Sequence, residues 1–126
     1  MAKAHHILYI EDERPMLELV REAMKLAGHT LDGALSGEQG LVKMREHKPD
    51  VVLLDLMMPG LNGWDVYREM KRDETLADIP VIVVTAKVPE YGCQIVEGLP
   101  PVNDYISKPF DVERLIRAVE KLLQAR

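Results

Sequence analysis

Three short, uninterrupted apolar runs limit what this chain can fold into: Ile7-Leu8-Tyr9-Ile10, Val51-Val52-Leu53-Leu54 and Val81-Ile82-Val83-Val84. A strand with one wet face alternates apolar and polar residues, whereas a strand covered on both faces reads as a continuous hydrophobic run. The runs therefore predict a parallel sheet enclosed between helices. Two weaker strands are expected near Thr30–Ala34 and Asp104–Ser107.

Helical patterns fill the intervals. Leu17, Val20, Met24 and Ala27 recur at helical spacing, with Pro15 in a first turn, where its missing N–H costs nothing, and Gly28 as the stop. Ser36 followed by Gln39 is a capping-box signal for a second helix to about His47, and Asn62 caps a third running to about Asp73. Val112, Leu115, Ile116, Val119, Leu122 and Leu123 form the clearest stripe, in the last helix. Right-handed crossovers on this alternation give a sheet wound all one way or one that reverses partway. With helices on both faces the reversing strand order 2-1-3-4-5 is expected: a flavodoxin-like, doubly wound, five-stranded α/β fold with five helices. In such sheets ligands bind at the carboxyl ends of the strands.

At 126 residues the chain fits one domain, residues 1–126, and 47% hydrophobic with 29% charged residues is an ordinary globular balance. A net charge of -5 repels a nucleic-acid backbone. Arg114, Arg117 and Lys121 of the last helix are interleaved with Glu113 and Glu120, which reads as a solvated face rather than a DNA footprint. Cys93 is the lone cysteine, so no intramolecular disulfide is possible, and nothing in the sequence resembles a zinc-ligand cluster. His5-His6 is more often neither a metal site nor a tag remnant. No apolar run approaches membrane-spanning length, and a reducing cytoplasm is the expected location.

The strand ends carry the chemistry. The first strand runs into Glu11-Asp12-Glu13, the third ends on Asp55, the fourth on Thr85 and the fifth on Lys108. With strands one and three adjacent, Glu11, Asp12 and Asp55 converge. Carboxylates so placed repel one another unless some protonate or a cation binds, and a few oxygen ligands plus waters suit Mg²⁺. Taken singly, each acid is as well explained as a helix cap or a solvated side chain, Lys108 as a surface lysine and Thr85 as a strand-end filler. The set as a whole is not.

The segments Ile7-Leu8-Tyr9-Ile10-Glu11-Asp12-Glu13, Leu54-Asp55-Leu56-Met57-Met58-Pro59-Gly60, Val84-Thr85-Ala86 and Tyr105-Ile106-Ser107-Lys108-Pro109-Phe110 resemble the receiver domain of two-component response regulators, of the chemotaxis-regulator type, over essentially the whole chain. The resemblance implies a signalling switch in which Asp55 takes a phosphoryl group from a phosphohistidine on a sensor kinase or phosphotransfer protein. It implies Mg²⁺ held by the Asp12 and Asp55 side chains and the Met57 backbone carbonyl, with Glu11 helping through water. Lys108 and Thr85 would hold the phosphoryl oxygens, and Thr85 and Tyr105 would move together as the switch. Such a domain is an autocatalytic acceptor that dephosphorylates itself, not a turnover enzyme on an external substrate.

Other readings fit less well. A flavodoxin-like cofactor binder would want a hydroxyl- and glycine-rich loop where Glu11-Asp12-Glu13 stands. An aspartyl-phosphate phosphatase would place an acid where this chain has Met57. A degenerate receiver acting only as a binding module is disfavoured because Asp12, Asp55, Thr85 and Lys108 are all present. No Walker-type phosphate loop exists, so ATP is not the expected donor.

Two departures from the family pattern stand out. The first acid is Glu11 rather than the commoner Asp. The fourth helix, expected between Val88 and Asn103, carries Gly92, Gly98, Pro100 and Pro101, which predicts a short or irregular element. Many transcriptional receivers dimerise through this face with a glutamate and an arginine at the places held here by Arg114 and Ala118. The expectation is a monomer or weak dimer that signals by touching another protein.

Overall fold

The computed structural model describes residues 5–58, 60–86 and 102–124. Its strands are β1 (His6–Ile10), β2 (Thr30–Ala34), β3 (Val51–Leu54), β4 (Val81–Thr85) and β5 (Asp104–Ser107). All pair in parallel, in the order β2-β1-β3-β4-β5. The helices among the described residues are α1 (Arg14–Leu26), α2 (Gly37–Glu46), α3 (Gly63–Arg72) and α4 (Val112–Gln124). The irregular helix expected over 88–103, with its glycines and prolines, lies almost wholly outside the described residues.

Period-two alternation divides each apolar run between two cores. Leu8, Ile10, Val52, Leu54, Val81 and Val83 pack with Leu41 and Met44 of α2 and Val66, Tyr67 and Met70 of α3. Ile7, Tyr9, Val51, Leu53, Ile82 and Val84 pack with Val20 and Met24 of α1 and Leu115 and Val119 of α4. Each fully buried aliphatic side chain contributes about 1.5–3 kcal/mol relative to an exposed one, so neither layer can be stripped of its helices.

Local signals fix where the helices begin and end. The Ser36 hydroxyl accepts the N–H of Gln39 (3.1 Å), and the Gln39 side chain reaches back to the N–H of Leu35 (2.7 Å). Asn62 likewise accepts the N–H of Asp65 (3.1 Å) at the start of α3. Beyond α1, Gly28 adopts a φ of 93°, which a side chain would strain. Pro15 lies in the first turn of α1, as its sequence position predicts. The turn that follows α1 is tied to α4, where His29 Nε2 hydrogen-bonds Glu120 Oε2 (3.1 Å).

Candidate functional site

The ladder continues one step past the strands and sets the backbone of the site. Glu11 N–H donates to Ala34 O (2.9 Å), Asp55 N–H to Ile10 O (3.1 Å), and Lys108 N–H to Thr85 O (2.8 Å). Glu11, Asp55, Thr85 and Lys108 therefore leave the sheet along the same carboxyl edge, as the alternating pattern predicts. The Lys108–Pro109 peptide bond is cis.

Ligand atoms from Glu11, Asp12 and Asp55 lie within 4.8 Å of one another. Glu11 and Asp55 are buried, at 0% and 3% exposure, while Asp12 faces solvent. Lys108 reaches into the cluster, donating from Nζ to Glu11 Oε1 and to Asp55 Oδ2 (3.2 Å). One ammonium faces three carboxylates. That imbalance, and the all-oxygen donor set with one member open to water, fit a small divalent cation such as Mg²⁺.

Asp55 is held from both sides. Its Oδ1 accepts the N–H of Met57 (3.0 Å), and its Oδ2 accepts from Lys108. Met57 itself is 69% exposed. Burial alone would lower the pKa of Lys108. Its hydrogen bond to Glu11, with the charges of Glu11 and Asp55, outweighs this and raises it above the ordinary lysine value.

Thr85 and Tyr105 are both buried. In the register Val83 pairs with Tyr105 and Thr85 with Ser107, so alternation puts the Thr85 and Tyr105 side chains on the same, α2–α3 side of the sheet. Tyr105 already packs in that core in this structure.

Two residues of the site escape a reading of the sequence. Tyr9, at 0% exposure, donates its hydroxyl to Glu11 Oε1 (3.0 Å) from the α1–α4 side. Burial first, and then the Glu11 charge and hydrogen bond, raise its pKa far above the ordinary tyrosine value. The available signal was that Tyr9 is the one polar-tipped side chain in the three apolar runs, two residues before an acid and hence on the same strand face. The second is Gly63, where a Cβ would come within 2.5 Å of Asp55 O and 2.6 Å of Leu56 Cα. α3 starts directly against the Asp55 backbone, and no spacing rule announces that contact.

A doubly wound parallel sheet with buried acids and a lysine at its carboxyl edge puts this chain among the α/β domains whose candidate site lies at the strand ends. Residues 7–120 match the response regulator receiver domain family, and the chain belongs to it. It is 37% identical over 119 residues to the phosphate regulon transcriptional regulatory protein PhoB of Pseudomonas aeruginosa, covering 94% of this chain and 51% of that protein. It is 34% identical to Protein PilH of the same species, covering 93% of this chain and 96% of PilH. The chain thus spans about half the length of the first and nearly all of the second. A CheY-like response regulator receiver domain protein from Methanospirillum hungatei superposes with a TM-score of 0.80 at 30% identity, over 96% of this chain and 98% of that one. Receiver domains are signalling domains of two-component systems, and no described helix is long and apolar enough to cross a membrane.

Proposed function

We propose that this receiver domain is a working phosphoacceptor switch in which Asp55 takes a phosphoryl group from a phosphohistidine of a sensor kinase or phosphotransfer protein. The observation that carries this reading is the meeting of Glu11, Asp12 and Asp55 with the Lys108 ammonium at one strand edge. Three carboxylates there outnumber the single ammonium, an excess of negative charge that a cation-dependent acceptor would use and a bare binding module would not.

Asp12, the Asp55 side chain and the Met57 carbonyl would hold Mg²⁺, with Glu11 acting through water. When bound, the ion offsets the negative charge of the carboxylates and of the donor's phosphoryl oxygens. Phosphoryl transfer depends mainly on positioning and charge neutralisation. The Met57 N–H and Lys108 fix the Asp55 carboxylate, so that one oxygen can attack phosphorus in line. The O–P bond forms as the P–N bond to the donor imidazole breaks, and the imidazole leaves. Lys108 then exchanges its carboxylate contact for a phosphoryl oxygen, and the Thr85 hydroxyl donates to another.

The new group adds about 1.5–2 negative charges and three acceptor oxygens. Movement of Thr85 toward them changes the space at the edge of the core that Tyr105 fills, carrying the signal to the β4–β5 side. The output is contact with another protein rather than with DNA. The action of this domain is a single acceptor event followed by its own dephosphorylation, not turnover of an external substrate.

Trp64 reports on this reading, because it packs partly buried at the start of α3, edge-on to Tyr67 (6.1 Å). Mg²⁺ should change its fluorescence saturably, and beryllofluoride, a phosphoryl mimic, should change it again. Asp55→Asn should abolish the second response. No response to either addition by the unaltered protein would leave only a binding module.

A further inference from the structure

We propose that Tyr9 is a positioning residue for the acidic site: its buried hydroxyl holds Glu11, and through Glu11 the metal-binding carboxylates. The inference rests on the phosphoacceptor reading above and adds a residue that lies behind the site rather than in it.

Glu11 is wholly buried, and each of its oxygens is engaged. Oε2 accepts the Glu13 N–H (3.2 Å), while Oε1 accepts from both Lys108 Nζ and the Tyr9 hydroxyl (3.0 Å). Tyr9 and Lys108 thus approach the same oxygen. Tyr9 comes from inside the α1–α4 core, and Lys108 bridges to Asp55. The Tyr9 ring is itself fully buried, so its hydroxyl is a fixed donor that strand geometry aims at the side chain two residues on.

A glutamate here is one methylene longer than an aspartate. Shut away from water, that extra reach leaves more carboxylate positions open and a buried anion to stabilise. The tyrosine hydroxyl answers both needs: it supplies a donor to the buried oxygen and selects one side-chain position. It stands one step further from the ion than the outer hydrogen-bond partners of direct ligands, whose loss typically costs about 10–100-fold in metal affinity, so the low end of that range applies. Tyr9 and Glu11 therefore form a matched pair, and an aspartate at position 11 would draw the carboxylate away from the hydroxyl.

The test is Mg²⁺ affinity by calorimetry in a four-protein cycle: unaltered, Tyr9→Phe, Glu11→Asp and the double variant. Tyr9→Phe should weaken Mg²⁺ binding about 10-fold. Within the Glu11→Asp background the same change should shift affinity by no more than about twofold, because the shorter side chain does not use the hydroxyl. Unchanged affinity in Tyr9→Phe would overturn the proposal, as would an equal loss in both backgrounds, which would mark a packing effect.

Should Tyr9→Phe not fold, the Tyr9 ζ-carbon NMR resonance of the unaltered protein takes its place. It should shift on Mg²⁺ addition, and a resonance that ignores saturating Mg²⁺ would overturn the proposal. Failure of the unaltered protein to bind Mg²⁺ at all would bring down the phosphoacceptor reading and this proposal with it. Each of the other adverse results bears on Tyr9 alone.

Discussion

Removing the Lys108 ammonium would leave Glu11, Asp12 and Asp55 facing one another with no lysine between them. Lys108 contacts two buried carboxylates, so its loss bears on the fold as well as on the proposed switch. Lys108→Ala should lower metal-free stability by about 2 kcal/mol, less than a fully buried pair would lose because the lysine side chain keeps 13% exposure. Mg²⁺ should restore more of the melting temperature in the variant than in the unaltered protein, which differential scanning calorimetry would read. Tyr9 and Lys108 both hold their protons more tightly folded than unfolded, where they titrate near their ordinary values of 10.0 and 10.5. Above about pH 10 the unfolded chain binds fewer protons than the folded one, so stability falls as pH rises and is fully present below. Urea titrations between pH 8 and pH 11 should show this fall, and it should be shallower in Tyr9→Phe.

At the scale of elements, the apolar runs, the caps at Ser36 and Asn62, the Gly28 stop and the last helical stripe could all be read from the sequence, because each rests on periodicity or a short-range rule. The acids at the strand ends were legible for a related reason: a strand's end and its neighbour in the sheet follow from strand order. What stayed hidden depends on tertiary contact. Tyr9 counts as one more core residue until its hydroxyl is seen on Glu11, and no local pattern shows that the Lys108 Nζ lies between two acids. Gly63 is similar. It resembles any small residue in a first helical turn, yet a methyl there would collide with the Asp55 carbonyl and the Leu56 Cα, both backbone atoms that cannot rotate aside. Gly63→Ala should therefore cost about 1–3 kcal/mol of stability. It should also weaken Mg²⁺ binding by displacing the Asp55 loop. By contrast Ser36→Ala, which loses only its cap, should cost about 1 kcal/mol and leave Mg²⁺ affinity alone. Chemical denaturation and calorimetry on the two variants would separate these outcomes.

Taken whole, the proposed switch is a two-state surface biased by one covalent group. Moving an equilibrium from 1:99 to 99:1 takes about 5.5 kcal/mol, within reach of a few charge-assisted hydrogen bonds from Thr85, Lys108 and backbone amides to a phosphoryl group. In the proposed switch the responding face is the β4–β5 side, flanked by α4. There Arg114 is exposed and Ala118 packs partly buried against the core, so the acidic and basic partners of the familiar receiver dimer are missing. Light scattering with Mg²⁺ and beryllofluoride should find no tight, activation-dependent dimer built on that face. Intact-mass spectrometry after incubation with acetyl phosphate and Mg²⁺ reads phosphorylation of Asp55 itself. The unaltered protein should gain one phosphoryl group that hydroxylamine removes, as it does an acyl phosphate, and Asp55→Asn should gain none. Normal uptake by Asp55→Asn, or no uptake by the unaltered protein, would contradict the assignment of Asp55 as the acceptor.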